Sequence, residues 1–227
     1  MRPSIIFLIA LFSVARLQAQ EEEVYTVKAH QLIPSKVIYA LPGFTVGTAF
    51  LRDGTTARQP LNYNYLTGEM QFINRGGDTL AIADPGTIKY IAIDTAVFYY
   101  EKGFLKQVFI VDSFKLAERQ VLTQLPGKIA GGYGTGNEGG DGAQQFGNVT
   151  TEAFGTQHLR ADKDISFKKV VTYYLGDRFN LFLRADKSTF THFFSKKKAL
   201  VEQYIREHNV NFKNKLDLQK LLQFCVM

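Results

Sequence analysis

From residue 37 to residue 125 the chain is a succession of short β-prone runs, each closed by a turn cluster, with no helix-period stretch between them. This feature constrains the fold most. Parallel strands need crossovers of a dozen or more residues, usually helical, so runs this closely spaced pair antiparallel. Phe44–Leu51 ends at Asp53-Gly54, a hairpin signal. Leu61–Leu66 alternates, with Leu61, Tyr63 and Tyr65 on one face and Asn62 and Asn64 on the other. Thr67-Gly68 then turns the chain, with Gly68 free to take the left-handed conformation. Glu69–Ile73, Thr79–Ala83, Ile88–Ile93, Val97–Tyr100 and Phe104–Val111 follow, separated by clusters such as Arg75-Gly76-Gly77-Asp78 and Asp84-Pro85-Gly86. Phe114–Leu122 reads as a strand or a short helix. The expectation is a meander of seven or eight strands.

Residues 127–148 hold nine glycines and read as a long disordered loop. Two more β runs, Ile165–Leu175 and Phe179–Arg184, flank Gly176-Asp177-Arg178. The period then changes. Ser195 can cap a helix with Leu200, Val201, Tyr204 and Ile205 on one face. Asn214, with Asp217 three residues on, starts another whose Leu218, Leu221, Leu222 and Cys225 fall at i, i+3, i+4 and i+7. The expected fold class is α+β. One domain over 20–227 is mainly an antiparallel β meander or partly closed roll, with the Gly-rich loop 127–148 and two amphipathic C-terminal helices in 195–226.

The first nineteen residues have a different character. Arg2 precedes an apolar run, Ile5–Ala15, broken only by Ser13, and Leu17 and Ala19 stand where a signal peptidase would read. The run is too short to cross a bilayer core, which needs about 20 residues. The reading is a secretory signal peptide over 1–19, in preference to a buried helix or an anchor. It sends the chain to the periplasm, the outer-membrane periphery or the outside. No later segment approaches transmembrane length, and a single cysteine excludes an intrachain disulfide.

Charge is uneven. Residues 20–156 carry 11 basic and 14 acidic side chains, and residues 157–227 carry 14 and 7. A basic end suits an anionic envelope surface or an acidic envelope protein, and export makes nucleic acid an unexpected partner. Lys196, Lys197 and Lys198 are the candidate partner-binding residues. Cations oppose the dipole at a helix start, so either they serve a surface or the helix begins after them. Inward-facing Tyr63, Tyr65, Phe72 and Tyr90 are the candidates for holding a ligand.

An ordered set of features carries a resemblance. It comprises Leu61-Asn62-Tyr63-Asn64 leading to Thr67-Gly68-Glu69, then Gly77-Asp78-Thr79, Tyr173-Tyr174, and Phe193 to Lys198 followed by Leu218 to Phe224. The layout resembles uncharacterised exported proteins common in Bacteroidota. The chain departs from that pattern at Phe224-Cys225, where paired tyrosines are usual. The resemblance implies export and no catalytic residue.

No motif fixes a reaction, a metal or a cofactor. Gly134-Thr135-Gly136-Asn137-Glu138-Gly139 matches a dinucleotide fingerprint, but no helical stripe follows it. Asn137, Glu138 and Asp141 are oxygen donors in what reads as a solvated loop. His30, His158, His192 and His208 have no metal-binding spacing. His192 and Ser195 lack a visible orienting acid, Asp162 and Asp164 read as a wet loop, and Cys225 reads as a buried small hydrophobe. The leading expectation is an exported, non-enzymatic cell-envelope protein that binds a partner or a surface. The alternatives are a β-roll holding an apolar molecule or glycan, a hydrolase whose site forms only in space, and an outer-membrane barrel, which the short runs and helical end disfavour.

Overall fold

The computed structural model describes residues 24–125, 149–151, 159–161 and 164–227. The expected signal peptide 1–19, the glycine-rich stretch 127–148 read as a loop, His158 and Asp162 lie outside the described residues.

Two four-stranded meanders make the body. After β1 (Val24–Val27) and a single helical turn, α1 (Ser35–Ile38), come β2 (Thr45–Leu51), β3 (Thr56–Asn64), β4 (Glu69–Ile73) and β5 (Thr79–Ala81). The second is β6 (Ile88–Ile93), β7 (Ala96–Tyr100), β8 (Phe104–Val111) and β9 (Phe114–Leu125). Their first strands, β2 and β6, pair antiparallel. The α+β fold with an antiparallel β meander expected from sequence is present, its order broken once where β6 returns to pair with β2. Asp84-Pro85-Gly86 carries the chain from the sheet edge at β5 back to the middle beside β2. Phe114–Leu122 resolves as strand and runs on to Leu125.

A short pair, β10 (Val149–Thr151) and β11 (Leu159–Ala161), stands apart from the main sheet. β12 (Ile165–Gly176) pairs with β9 from Ser166 to Gly176, and its other edge takes β1 at one end and β13 (Phe182–Arg184) at the other. Among the described residues the main sheet thus has 11 strands, in the order β1-β12-β9-β8-β7-β6-β2-β3-β4-β5 with β13 beside β12. It curls until β3 reaches β9: Leu122 N donates to Tyr65 O at 2.8 Å, and Tyr63 Oη donates to Gln120 O at 2.9 Å. Gly47, in the middle of β2, lets neighbouring chain approach closely. A Cβ there would lie 2.8 Å from both Ala92 O and Ile93 Cγ1.

Strand alternation sorts the side chains onto two faces. The inner face of the curl carries Leu61, Tyr63, Met70, Ile91, Phe98 and Phe104. At one end of it Val37, Ile38 and Tyr39 pack on Leu122, Ile165 and Phe167. At the other end three helices cover Leu116, Tyr173 and Leu175: α2 (Lys187–Phe193), α3 (Lys198–Glu207) and α4 (Lys215–Val226). Tyr99, Leu105, Ala117 and Phe182 form a smaller core on the outer face.

The helical end starts earlier than expected and has three helices rather than two. Asp186 caps α2, its Oδ1 accepting from Thr189 N at 2.8 Å, and this sets Phe190 fully buried against the sheet. Ser195 makes no side-chain cap; it opens a 3₁₀ turn, Ser195–Lys197, that joins α2 to α3. Asn214 caps α4 as expected, its Oδ1 accepting from Leu216 N and Asp217 N. Asp217 reaches back to Asn211 N, not to the capping residue. The four expected positions of α4, Leu218, Leu221, Leu222 and Cys225, are buried. Each such burial contributes about 1.5–3 kcal/mol before the cost of ordering the chain.

The asparagine face of β3 is also buried. Asn64 Oδ1 accepts from Leu66 N and Thr67 N, and its amide donates to Gln71 Oε1, which also accepts from Tyr39 Oη. Asn62 holds Leu41 and Gly43 through their backbone groups. These amides therefore tie the 39–43 segment and the β3–β4 turn to the sheet.

Candidate functional site

The four aromatic candidates do not converge on one cavity. Tyr63 and Tyr65 meet edge to face, centroids 5.5 Å apart, on the inner face. Tyr90 lies on the outer face and stacks on Phe50 at 4.4 Å. Phe72 lies in a separate trough on the β2–β4 side. The four therefore do not line a single pocket. Neighbouring positions along β6 point to opposite faces, which separates Tyr90 from the residues packed around Ile91.

Tyr63 and Tyr65 border a slot with Phe98, Phe104, Lys106 and Glu118. Its free volume is about 10 Å3. That is room for about one water molecule, not for an organic ligand. Glu118 is 7% exposed, and Gln120 Nε2 donates to its Oε1 at 2.9 Å. Burial pushes its carboxyl above the usual range, and the charges of Lys106, Lys215 and Lys169 oppose that shift. Burial likewise raises the Tyr63 hydroxyl well above the ordinary phenol value, so it remains a hydrogen-bond donor to Gln120 O.

Glu118 makes a pH-dependent contribution. Its folded-state pKa lies above the unfolded value, so the native state is favoured while the group is protonated. That advantage is complete below the ordinary carboxylate pKa and is lost as pH rises through the raised value. Glu118→Gln is therefore expected to stabilise the protein at neutral pH, with the gain shrinking toward zero in acid. Urea unfolding at both pH values checks this. A variant less stable than the parent at neutral pH would instead make the charged Glu118 a net stabiliser through its lysines.

The trough is larger. About 280 Å3 is lined by Ala49, Leu51, Leu61, Phe72, Ile82 and Ile88, with Ala57 at an exposed position and polar atoms from Gln59 and Thr87. Its residues come from β2, β3, β4, β6 and the crossover after β5. Sequence gives Ala49, Leu51, Leu61, Phe72, Ile82 and Ile88 as strand residues and cannot show that the crossover leaves this part of the sheet uncovered.

The lysine trio is divided by the 3₁₀ turn. Lys197 Nζ donates to Cys225 O at 3.2 Å, near the carboxyl end of α4, where a cation favours the helix dipole. Lys196 and Lys198 are exposed. Cys225 is buried, and burial pushes its thiol up to about 12, which makes it a poor nucleophile. His192 is exposed with its ring against Phe193. Among the described residues no three His, Cys, Asp or Glu side chains come together in a way that could hold a metal ion. None of the described helices is long and apolar enough to cross a membrane. Compared with protein-family models, curated proteins and solved structures, the chain matches none.

Proposed function

We propose that the chain is an exported, non-enzymatic module of the cell envelope that works by binding a partner polypeptide. The observation that carries this reading is the trough. It is apolar and open, whereas the aromatic slot of the same face is filled by its own side chains. A volume of about 280 Å3 lies just below the ligand-pocket range of about 300–1,000 Å3. It suits one or two aliphatic or aromatic anchors of a partner, which is where interface energy concentrates. Export rests on the composition of residues 1–19. The second reading, a small apolar molecule in the same trough, is favoured by the nearly complete apolar lining. A glycan suits it less, since Gln59 and Thr87 are the only polar side chains among its lining residues.

Two measurements test the proposal. N-terminal sequencing of the native protein from envelopes is expected to begin at Gln20; an intact Met1 in a cytosolic protein would remove the envelope role. Ala57→Asp places a charge in the trough at an exposed position. It is expected to weaken capture of a specific envelope protein by at least about tenfold while the melting temperature stays unchanged. Capture indifferent to Ala57→Asp would move the partner elsewhere. Displacement by extracted lipids, with no protein captured, would favour the small-molecule reading.

A further inference from the structure

The hairpin between β12 and β13 holds apolar side chains out in water. Phe179 is 73% exposed, Leu181 51% and Leu183 36%. Around them are Arg178, Arg184 and Lys187, all exposed. The Arg178 guanidinium sits 4.6 Å from the centre of the Phe179 ring.

The tip is braced in this form. Asp177 Oδ1 accepts from Phe179 N and Leu181 N, both at 2.9 Å, and Asn180 N donates to Asp177 O at 3.1 Å. Lys115 Nζ donates to the same Asp177 carbonyl. Asn180 takes the left-handed conformation, φ 63°, that closes the turn. Carboxylates on the flanking segments already have partners or turn positions. Asp177 binds the turn and Asp186 caps α2. Glu202 lies 3.9 Å from Lys187, and Asp112 occupies the β8–β9 turn. An apolar centre with cations at its border is thus presented by a rigid loop.

We infer that this hairpin is an interfacial anchor for an anionic lipid bilayer, with Phe179, Leu181 and Leu183 entering the acyl boundary and Arg178, Arg184 and Lys187 meeting lipid phosphates. Charge complementarity selects this occupant. An acidic surface satisfies the arginines while its hydrocarbon takes the apolar residues, a pairing that peripheral membrane segments use. The same segment lies in the part of the chain where basic side chains outnumber acidic ones two to one. The inference rests on the envelope reading but not on the trough.

The chain has no tryptophan, so Phe179→Trp supplies a unique fluorophore at the tip. With vesicles of phosphatidylglycerol and phosphatidylethanolamine its emission is expected to shift to the blue and to be quenched by brominated acyl chains. Neutral phosphatidylcholine vesicles should leave it unchanged. Phe179→Ser/Leu181→Ser is expected to lower vesicle co-sedimentation of the otherwise native chain by at least about tenfold. Emission that ignores the anionic vesicles would overturn the inference, as would binding that survives the double substitution. A blue shift that depends on protein concentration without vesicles would also overturn it, by showing that a second copy covers the tip. Loss of the lipid response while the trough still captures its partner would leave the proposed function standing.

Discussion

Gly47→Val is expected to lower the melting temperature by about 6–12 °C and to reduce the soluble yield. Gly47 lies between β3 and β6, opposite Gln59 on one side and Ile93 on the other. A side chain there must displace a carbonyl, Ala92 O, which the sheet cannot move without breaking a ladder. Overpacking of this kind costs about 3 kcal/mol, a large share of the 5–15 kcal/mol that holds a typical domain together. Gly47→Ala should be milder but of the same sign. Thermal unfolding followed by circular dichroism reads both. An unchanged melting point for the valine variant would mean that the curl does not depend on close approach at β2.

The second large effect is expected at Asn64. Asn64→Ala leaves the N–H groups of Leu66 and Thr67 without their side-chain acceptor, at 2.8 and 3.2 Å in the parent. It also removes a donor to Gln71 Oε1. Asn64 is fully buried, so water does not replace these bonds in the native state. The combined loss is about 2–4 kcal/mol. Chemical denaturation should show a lower midpoint with an unchanged slope. The Gly68 N–H keeps its bond to Asn64 O, so the turn itself should survive. A variant as stable as the parent would show that the amide network is not what fixes the 39–43 segment.

Several strands, one turn glycine and one cap were legible in the sequence because their signals are local. Gly68 takes φ +72°, and Asn214 caps its helix through its own side chain. The β run Glu69–Ile73 matches β4 at both ends. What depended on distant partners was not legible. Alternation separated Asn62 and Asn64 from Tyr63, but period alone does not say which face meets water. Here both do not, because the segment around Tyr39 covers the polar one. The seven-residue helix α2 shows too few turns for a period, and its cap, Asp186, stands one residue beyond the end of β13. The trough was equally hidden. It exists because β6 returns to β2 instead of extending β5, a choice made by strand pairing rather than by any one residue. Tyr63, Tyr65, Phe72 and Tyr90 were visible as aromatic strand residues, yet only Tyr63 and Tyr65 meet: Tyr90 lies on the opposite face of β6, and Phe72 lines the trough.

The pairing of β1 has a consequence for how the molecule is made. Val24 to Val27 join Lys168 to Ile165, and Thr26 meets Ser166 across 140 positions of chain. Synthesis runs from the amino end, so the first of the described strands must stay without its docking site until one of the last has been produced. Early segments gain little from ordering before then, since distant closures contribute only after their chain entropy has been spent. Ribosome-bound chains stopped short of β12 should therefore be digested readily at the Val24 end, and protection there should arrive late and abruptly.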